Sequence, residues 1–161
     1  NVTFVTGEAE KDAAFVKAAA ADLIGQRAMS RWALEKKLKE KGASEAEARY
    51  AAEWLEAIGA IDDADYAALL ARHCAGKGYG PARVREKLRE KGVPRELWEE
   101  ALEQLPDPAE QIDRFLAAKL RGQIPDEKEK KRLSDALLRR GFAWSDVRAG
   151  MNRLGADIYE D

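Results

Sequence analysis

Three glycines, Gly42, Gly92 and Gly141, each close a segment of the same design, and they fall 50 and then 49 residues apart. A fixed period of about 20–50 residues is the mark of a repeat architecture. Residues 30–42 read SRWALEKKLKEKG, residues 80–92 read GPARVREKLREKG and residues 130–141 read KKRLSDALLRRG. Aligned on the glycines, Leu34, Val84 and Leu133 coincide, and so do Leu38, Leu88 and Leu137. Apolar residues four apart share one face of a helix, and a glycine after a basic last turn suits the left-handed conformation that ends one. Each copy therefore predicts a short amphipathic helix with a hard stop.

A second helix is expected after each glycine. Ser44 with Glu47 three residues on is a capping-box signature, and Pro94 stands where a first helical turn tolerates proline. Tyr50, Trp54 and Leu55 are the expected inward face in the first copy, and Leu97, Ala101, Leu102 and Leu105 in the second. A third helix follows a breaker: Asp62, Asp63 and Asp65 ahead of Tyr66, Leu69 and Leu70, then Pro106, Asp107 and Pro108 ahead of Ile112, Phe115 and Leu116. Carboxylates at such a start complement the helix dipole and its free amides. All five prolines fall at these boundaries, and no segment alternates with period two for long enough to argue for a strand. The expected fold is all-α: a tail over residues 1–10, a leading segment over 11–29 with its helix over 11–26, and three tandem three-helix, helix-turn-helix-like repeats over 30–79, 80–125 and 126–161. Units of this size share contacts with their neighbours, which predicts an elongated chain.

Charge follows the repeat. Residues 30–42 carry five basic and two acidic side chains, residues 80–92 the same, and residues 128–141 six and two. Between them the balance reverses, with seven acidic against one basic over 43–65 and six against one over 93–110. The net charge of −2 hides this order. A solvated surface held by internal charge pairs is the plain reading. Against it, Lys37 and Lys87, Lys39 and Arg89, and the trio Lys41, Lys91 and Arg140 recur at matching positions, as a periodic anionic partner would require.

Other chemistries find little support. His73 and Cys74 are the only histidine and cysteine, and a helix points adjacent side chains apart, so neither a metal site nor a Cys–His nucleophile is expected. Helix capping accounts for Asp62 and Asp63 without acid–base catalysis. The run Gly76-Lys77-Gly78-Tyr79-Gly80 lacks the spacing of a phosphate-binding loop and reads as a flexible joint ending in a helix cap. The four tryptophans, Trp32, Trp54, Trp98 and Trp144, read as packing anchors. The most apolar stretch, residues 13–24, holds Lys17 and Asp22 and falls short of the roughly 20 apolar residues of a spanning helix. With a lone cysteine and no recognisable export signal, the expected protein is soluble, cytoplasmic, non-enzymatic and without cofactor or metal.

The run Lys77-Gly78-Tyr79-Gly80-Pro81-Ala82-Arg83-Val84, continuing through Leu88 to Lys91-Gly92-Val93, resembles the central signature of the RecX family. Arg27 and Ser30 ahead of Leu34, Leu38, Lys41 and Gly42 extend the resemblance, as do Asp62-Asp63 with Tyr66-Ala67, and Arg140-Gly141-Phe142 with Asp146-Val147. Together these cover about residues 11–155. Trp144, Gly150 and Gly155 depart from the pattern and predict a less regular last helix. The resemblance implies a bacterial monomer of three-helix repeats that binds RecA, above all its filament on single-stranded DNA. It further implies inhibition of recombinase, ATPase and coprotease activities, and so of recombinational repair and the SOS response. Lys37, Lys39, Lys41, Arg83, Lys87, Arg89, Lys91, Arg139 and Arg140 are the residues expected to meet RecA or DNA, with weak non-specific DNA contact and no membrane. The alternative is a helix-turn-helix protein that binds duplex DNA directly.

Overall fold

The structure is a computed structural model that describes the backbone of residues 7–159 and the side chains of residues 13–155. Nine α-helices and one 3-10 turn make up the described chain, and no strand occurs in it. The chain divides into two compact units: Asn1–Ala67 with Leu88–Trp98, and Ala68–Lys87 with Glu99–Asp161. Of the expected tail, residues 1–6 lie outside the described residues. The leading helix α1 (Gly7–Gln26) starts four residues earlier than the apolar pattern suggested, so Gly7, Glu8, Ala9 and Glu10 are helical.

In the first unit α2 (Arg31–Glu40) buries Leu34 and Leu38, and α3 (Glu45–Ala57) begins with the complete Ser44–Glu47 capping box. The inward face of α3 differs from the expected one. Ala48, Ala51, Ala52 and Leu55 are buried, and their small side chains let α3 pack closely against both α1 and α2. Tyr50 and Trp54 are only half-buried, because the Nζ of Lys17 on α1 covers their rings at 5.2 and 5.1 Å.

The helix that follows, α4 (Asp63–Gly76), turns Ala67, Ala71 and Cys74 inward and leaves Leu69 exposed. Next comes α5 (Pro81–Glu90), which buries Val84 and Leu88. The second helix of the second copy is shorter than expected. Pro94 does not sit inside a helical turn: it caps a 3-10 turn over Arg95–Leu97, and only α6 (Trp98–Leu102) follows. Trp98 supplies the missing grip, buried with its Nε1 donating to the Val93 carbonyl at 2.9 Å. Trp32 and Trp144 are not buried anchors: they are 47% and 57% exposed.

In the second unit α7 (Pro108–Leu120), α8 (Glu127–Arg139) and α9 (Trp144–Tyr159) enclose Ile112, Leu116, Leu133, Leu137, Phe142 and Val147. The last helix is unbroken from Trp144 to Tyr159, against the irregularity expected of it. Gly150 is buried where α9 meets Ile112 on α7, and a Cβ there would stand 2.5 Å from the Ile112 Cγ2. The glycine is thus an interface residue rather than a helix break.

The three closing glycines behave alike. Gly42, Gly92 and Gly141 have φ of +104°, +72° and +96°, and the residue after each donates its amide back to the carbonyl of the leucine four residues before that glycine. These bonds are Ala43 to Leu38 at 3.0 Å, Val93 to Leu88 at 3.0 Å and Phe142 to Leu137 at 3.2 Å. The backbone repeats along with the side chains.

Candidate functional site at the basic helix ends

Each unit contains a joint in which the start of one basic helix meets the closing glycine of the next copy. In the first unit Ser30, fully buried, accepts from the Ala33 amide as the cap of α2, and its hydroxyl donates to the carbonyl of Lys91. The Trp32 ring lies against Gly92, where a Cβ would stand 2.5 Å from it. In the second unit the Gly80 amide donates to the carbonyl of Arg140 at 2.7 Å and the Ala82 amide to that of Gly141 at 3.0 Å. Ser30 and Gly80 are 50 residues apart and Lys91 and Arg140 are 49 apart, so these are one joint built twice. The run ending at Gly80 is therefore packed structure and not the flexible connection its glycines suggested.

The surroundings of the two joints differ in charge. At the first, Arg31 points into carboxylates: Glu35 at 3.5 Å, Glu53 at 3.7 Å and Glu56 at 2.5 Å. The Arg31 amide donates to Asp63 Oδ1 at 2.8 Å, so Asp63 serves the start of α2, while Asp62 caps its own helix through the amides of Ala64 and Asp65. Capping thus explains both aspartates, on two different helices. Burial raises the Asp63 pKa above the ordinary carboxylate value, the Arg31 amide pulls it down, and Glu56 pushes it up again.

At the second joint an open cleft of about 500 Å³ is lined by Lys77, Tyr79, Arg83, Ala136, Arg139 and Arg140. Arg140 is held in place by donation to the Lys77 carbonyl at 3.2 Å and by the Phe115 ring, 4.9 Å from its guanidinium. Arg83 lies over the Tyr79 ring at 5.3 Å and pairs with Glu86 at 3.1 Å. Among the described residues neither Lys77 nor Arg139 has a salt-bridge partner.

Of the nine basic residues singled out in the sequence, the structure gathers three, Arg83, Arg139 and Arg140, around this cleft. Lys37, Lys39 and Lys41 are exposed at the end of α2, Lys41 rimming a small groove of about 120 Å³ beside Phe15 and Gly42. Lys87 and Lys91 are half-buried near the middle and end of α5. Arg89 lies over the Trp98 ring at 5.5 Å, as does Arg95 at 5.4 Å, so part of its cation serves packing. Lys77 and Tyr79 are cleft residues that the sequence reading did not select. Their signal was present in the lysine and aromatic flanking Gly78 just ahead of a basic helix. No group of three or more metal-ligating side chains occurs among the described residues, and no described helix is long and apolar enough to cross a membrane.

Comparison with known proteins bears on this arrangement. The family described as RecX, second three-helix domain, matches residues 62–102, which comprise α4, α5, the 3-10 turn and α6. A protein of Pseudomonas entomophila (strain L48) named Regulatory protein RecX is 31% identical over 147 residues, covering 90% of this chain and 94% of its own length. A Pseudomonas putida protein of the same name is 34% identical over 114 residues, covering 70% and 80%. The crystal structure of RecX from Lactobacillus salivarius superposes with a TM-score of 0.80 at 22% identity, over 91% of this chain and 99% of that one, which establishes the likeness of fold. A second crystal structure, of a regulatory protein RecX, has a TM-score of 0.74 at 25% identity, over 88% and 72%.

Proposed function

The chain belongs to the RecX family, and from that premise we propose that it is a non-catalytic regulator that binds RecA and the RecA filament on single-stranded DNA. In this reading it inhibits the recombinase, ATPase and coprotease activities of the filament, restraining recombinational repair and the SOS response. It acts as a cytoplasmic monomer, without cofactor, through the basic ends of its repeated first helices.

The observation that carries this reading is the joint built twice. A joint that recurs with the 50-residue period returns basic helix ends at equivalent places in the sequence. A polymer of identical subunits offers equivalent sites at regular intervals, and linked weak contacts to such sites raise one another's effective concentration. Direct reading of duplex DNA is disfavoured by the same feature. A recognition helix contacts base edges with its N-terminal residues. In α2 that end is taken up by Ser30 and Asp63, and in α5 by the carbonyls of Arg140 and Gly141.

Co-sedimentation tests the binding step. Preformed RecA filaments on single-stranded DNA should carry the chain into the pellet at saturating ratios below one chain per protomer, and excess duplex competitor should not strip it off. A chain that stays in the supernatant with filaments but sediments with bare duplex removes the RecA reading.

A further inference from the structure

The two joints share a backbone design, yet three substitutions between equivalent positions change their chemistry. Where the second joint has Tyr79, the first has Met29, which is buried in the core. Where the second has Arg83, the first has Ala33, and where the second has Arg139, the first has Glu90. The first joint also surrounds its arginine, Arg31, with Glu35, Glu53 and Glu56. An anion approaching there meets carboxylates. At the second joint Lys77, Arg83, Arg139 and Arg140 surround one concave space, and among the described residues Glu86, which pairs with Arg83, is the one carboxylate joined to them by a salt bridge.

We propose that the cleft between Tyr79, Arg83 and Arg139–Arg140 is a phosphate site for the backbone of single-stranded nucleic acid, and that the corresponding joint at Lys91 is not. The proposal rests on the reading that basic helix ends contact the filament, and it assigns the nucleic-acid share of that contact to one place. Cations lining a concave wall reinforce one another's field, which favours a polyanion over an isolated carboxylate. Two of the guanidinium groups are already oriented, Arg140 by the Lys77 carbonyl and Phe115, and Arg83 by Tyr79 and Glu86. Little side-chain freedom is then lost on binding. The helix-start amides of Gly80 and Ala82 are spent on the carbonyls of Arg140 and Gly141. The charge comes from side chains, and so the site is removable without disturbing the joint. Lys77 and Arg139 are exposed and hold up no other element. The half-buried Tyr79 ring borders the same space and gives a base an aromatic neighbour, which favours a single strand, whose bases are open, over a duplex.

The test uses the full chain, a labelled oligo-thymidylate and no RecA, with affinity followed by fluorescence anisotropy over a range of salt concentrations. The double variant Lys77→Ala/Arg139→Ala should keep its helical circular dichroism and lose about 25-fold in affinity at roughly 0.1 M salt. Its log–log salt slope should flatten by about 1.4, since each phosphate contact on a single strand contributes about 0.7. The control double variant Arg49→Ala/Arg148→Ala, which removes two exposed cations away from the basic helix ends, should leave the slope unchanged, and Arg139→Lys in place of Arg139→Ala should restore half of the loss. Equal losses in the two double variants, or no loss in the first, overturn the assignment to this cleft. Duplex bound more tightly than single strand with the same dependence on Lys77 and Arg139 overturns the single-strand assignment. Polyglutamate competing as well as the oligonucleotide overturns the phosphate assignment in favour of an acidic protein surface. Because RecA is absent, oligonucleotide binding that depends on the cleft survives a failure of filament inhibition, and the two proposals fail separately.

Discussion

Gly141 lies so close to Arg83 that a Cβ on the glycine would overlap the arginine's amide nitrogen. Its φ of +96° adds a second demand, since that region favours glycine whatever the space around it. Gly42 occupies the same place in the first copy with φ of +104°, but nothing lies within 4 Å of where its Cβ would be. The pair separates backbone strain from close approach. Gly42→Ala should cost about 1 kcal/mol, the strain of a left-handed alanine, and Gly141→Ala about 3 kcal/mol because the second joint must also open. Urea midpoints of the two variants, compared at equal slope, check this order.

Ser30 performs two tasks where Ser44 performs one. Both cap a helix, but Ser30 also donates to the Lys91 carbonyl across the first joint. Ser44→Ala should therefore cost about 1 kcal/mol, and Ser30→Ala about 2 kcal/mol or more, since a partly buried bond between residues 61 apart goes with the cap. Amide hydrogen exchange gives the finer readout. The Ser30 variant should lose protection around Val93 as well as Ala33, whereas the Ser44 variant should lose it only at the start of α3.

Asp63 gives the first unit a pH dependence. Its carboxyl titrates above the unfolded value, chiefly through burial, so the native state holds that proton more tightly than the unfolded chain does. The resulting contribution to stability is complete below the unfolded pKa of roughly 3.9 and is lost as pH rises through the folded value. Asp63→Asn keeps an acceptor for the Arg31 amide and removes the titration. Wild type should gain on this variant in urea midpoint as pH is lowered from neutrality to about 3.5. A difference that is flat with pH, or that grows toward neutrality, contradicts the assignment.

Cys74 should be inert in the folded chain. It is 2% exposed, and burial raises its thiol pKa against the opposing pull of Lys87, Lys77 and Arg83. A disulfide reagent should modify it slowly in buffer and at the ordinary thiol rate in denaturant. Rapid modification of the native chain would place α4 differently.

The repeat was legible because it is local. Leu34, Leu38, Val84, Leu88, Leu133 and Leu137 were picked out by spacing alone, and all six are buried. The Ser44–Glu47 box was equally plain, since both partners lie within one turn. What the sequence hid are the relations between distant residues. Nothing local says that the Asp63 carboxylate caps the amide of Arg31, or that the Ser30 hydroxyl reaches the carbonyl of Lys91. On α3 the spacing finds Leu55 but also selects Tyr50 and Trp54, because large residues outweigh small ones in a hydrophobic pattern, while close helix packing prefers Ala48, Ala51 and Ala52. Of the basic residues, charge and period identified the helix ends. Which ends converge is decided by the joints, so Lys77 and Tyr79 came into view only with the fold.

The most direct test of the account is the steady rate of ATP hydrolysis by a preformed RecA filament on single-stranded DNA as the chain is titrated in. The account predicts a decline that is complete well below one chain per RecA protomer, because a chain bridging several protomers acts on all of them. A rate that stays constant even with the chain in excess would contradict it.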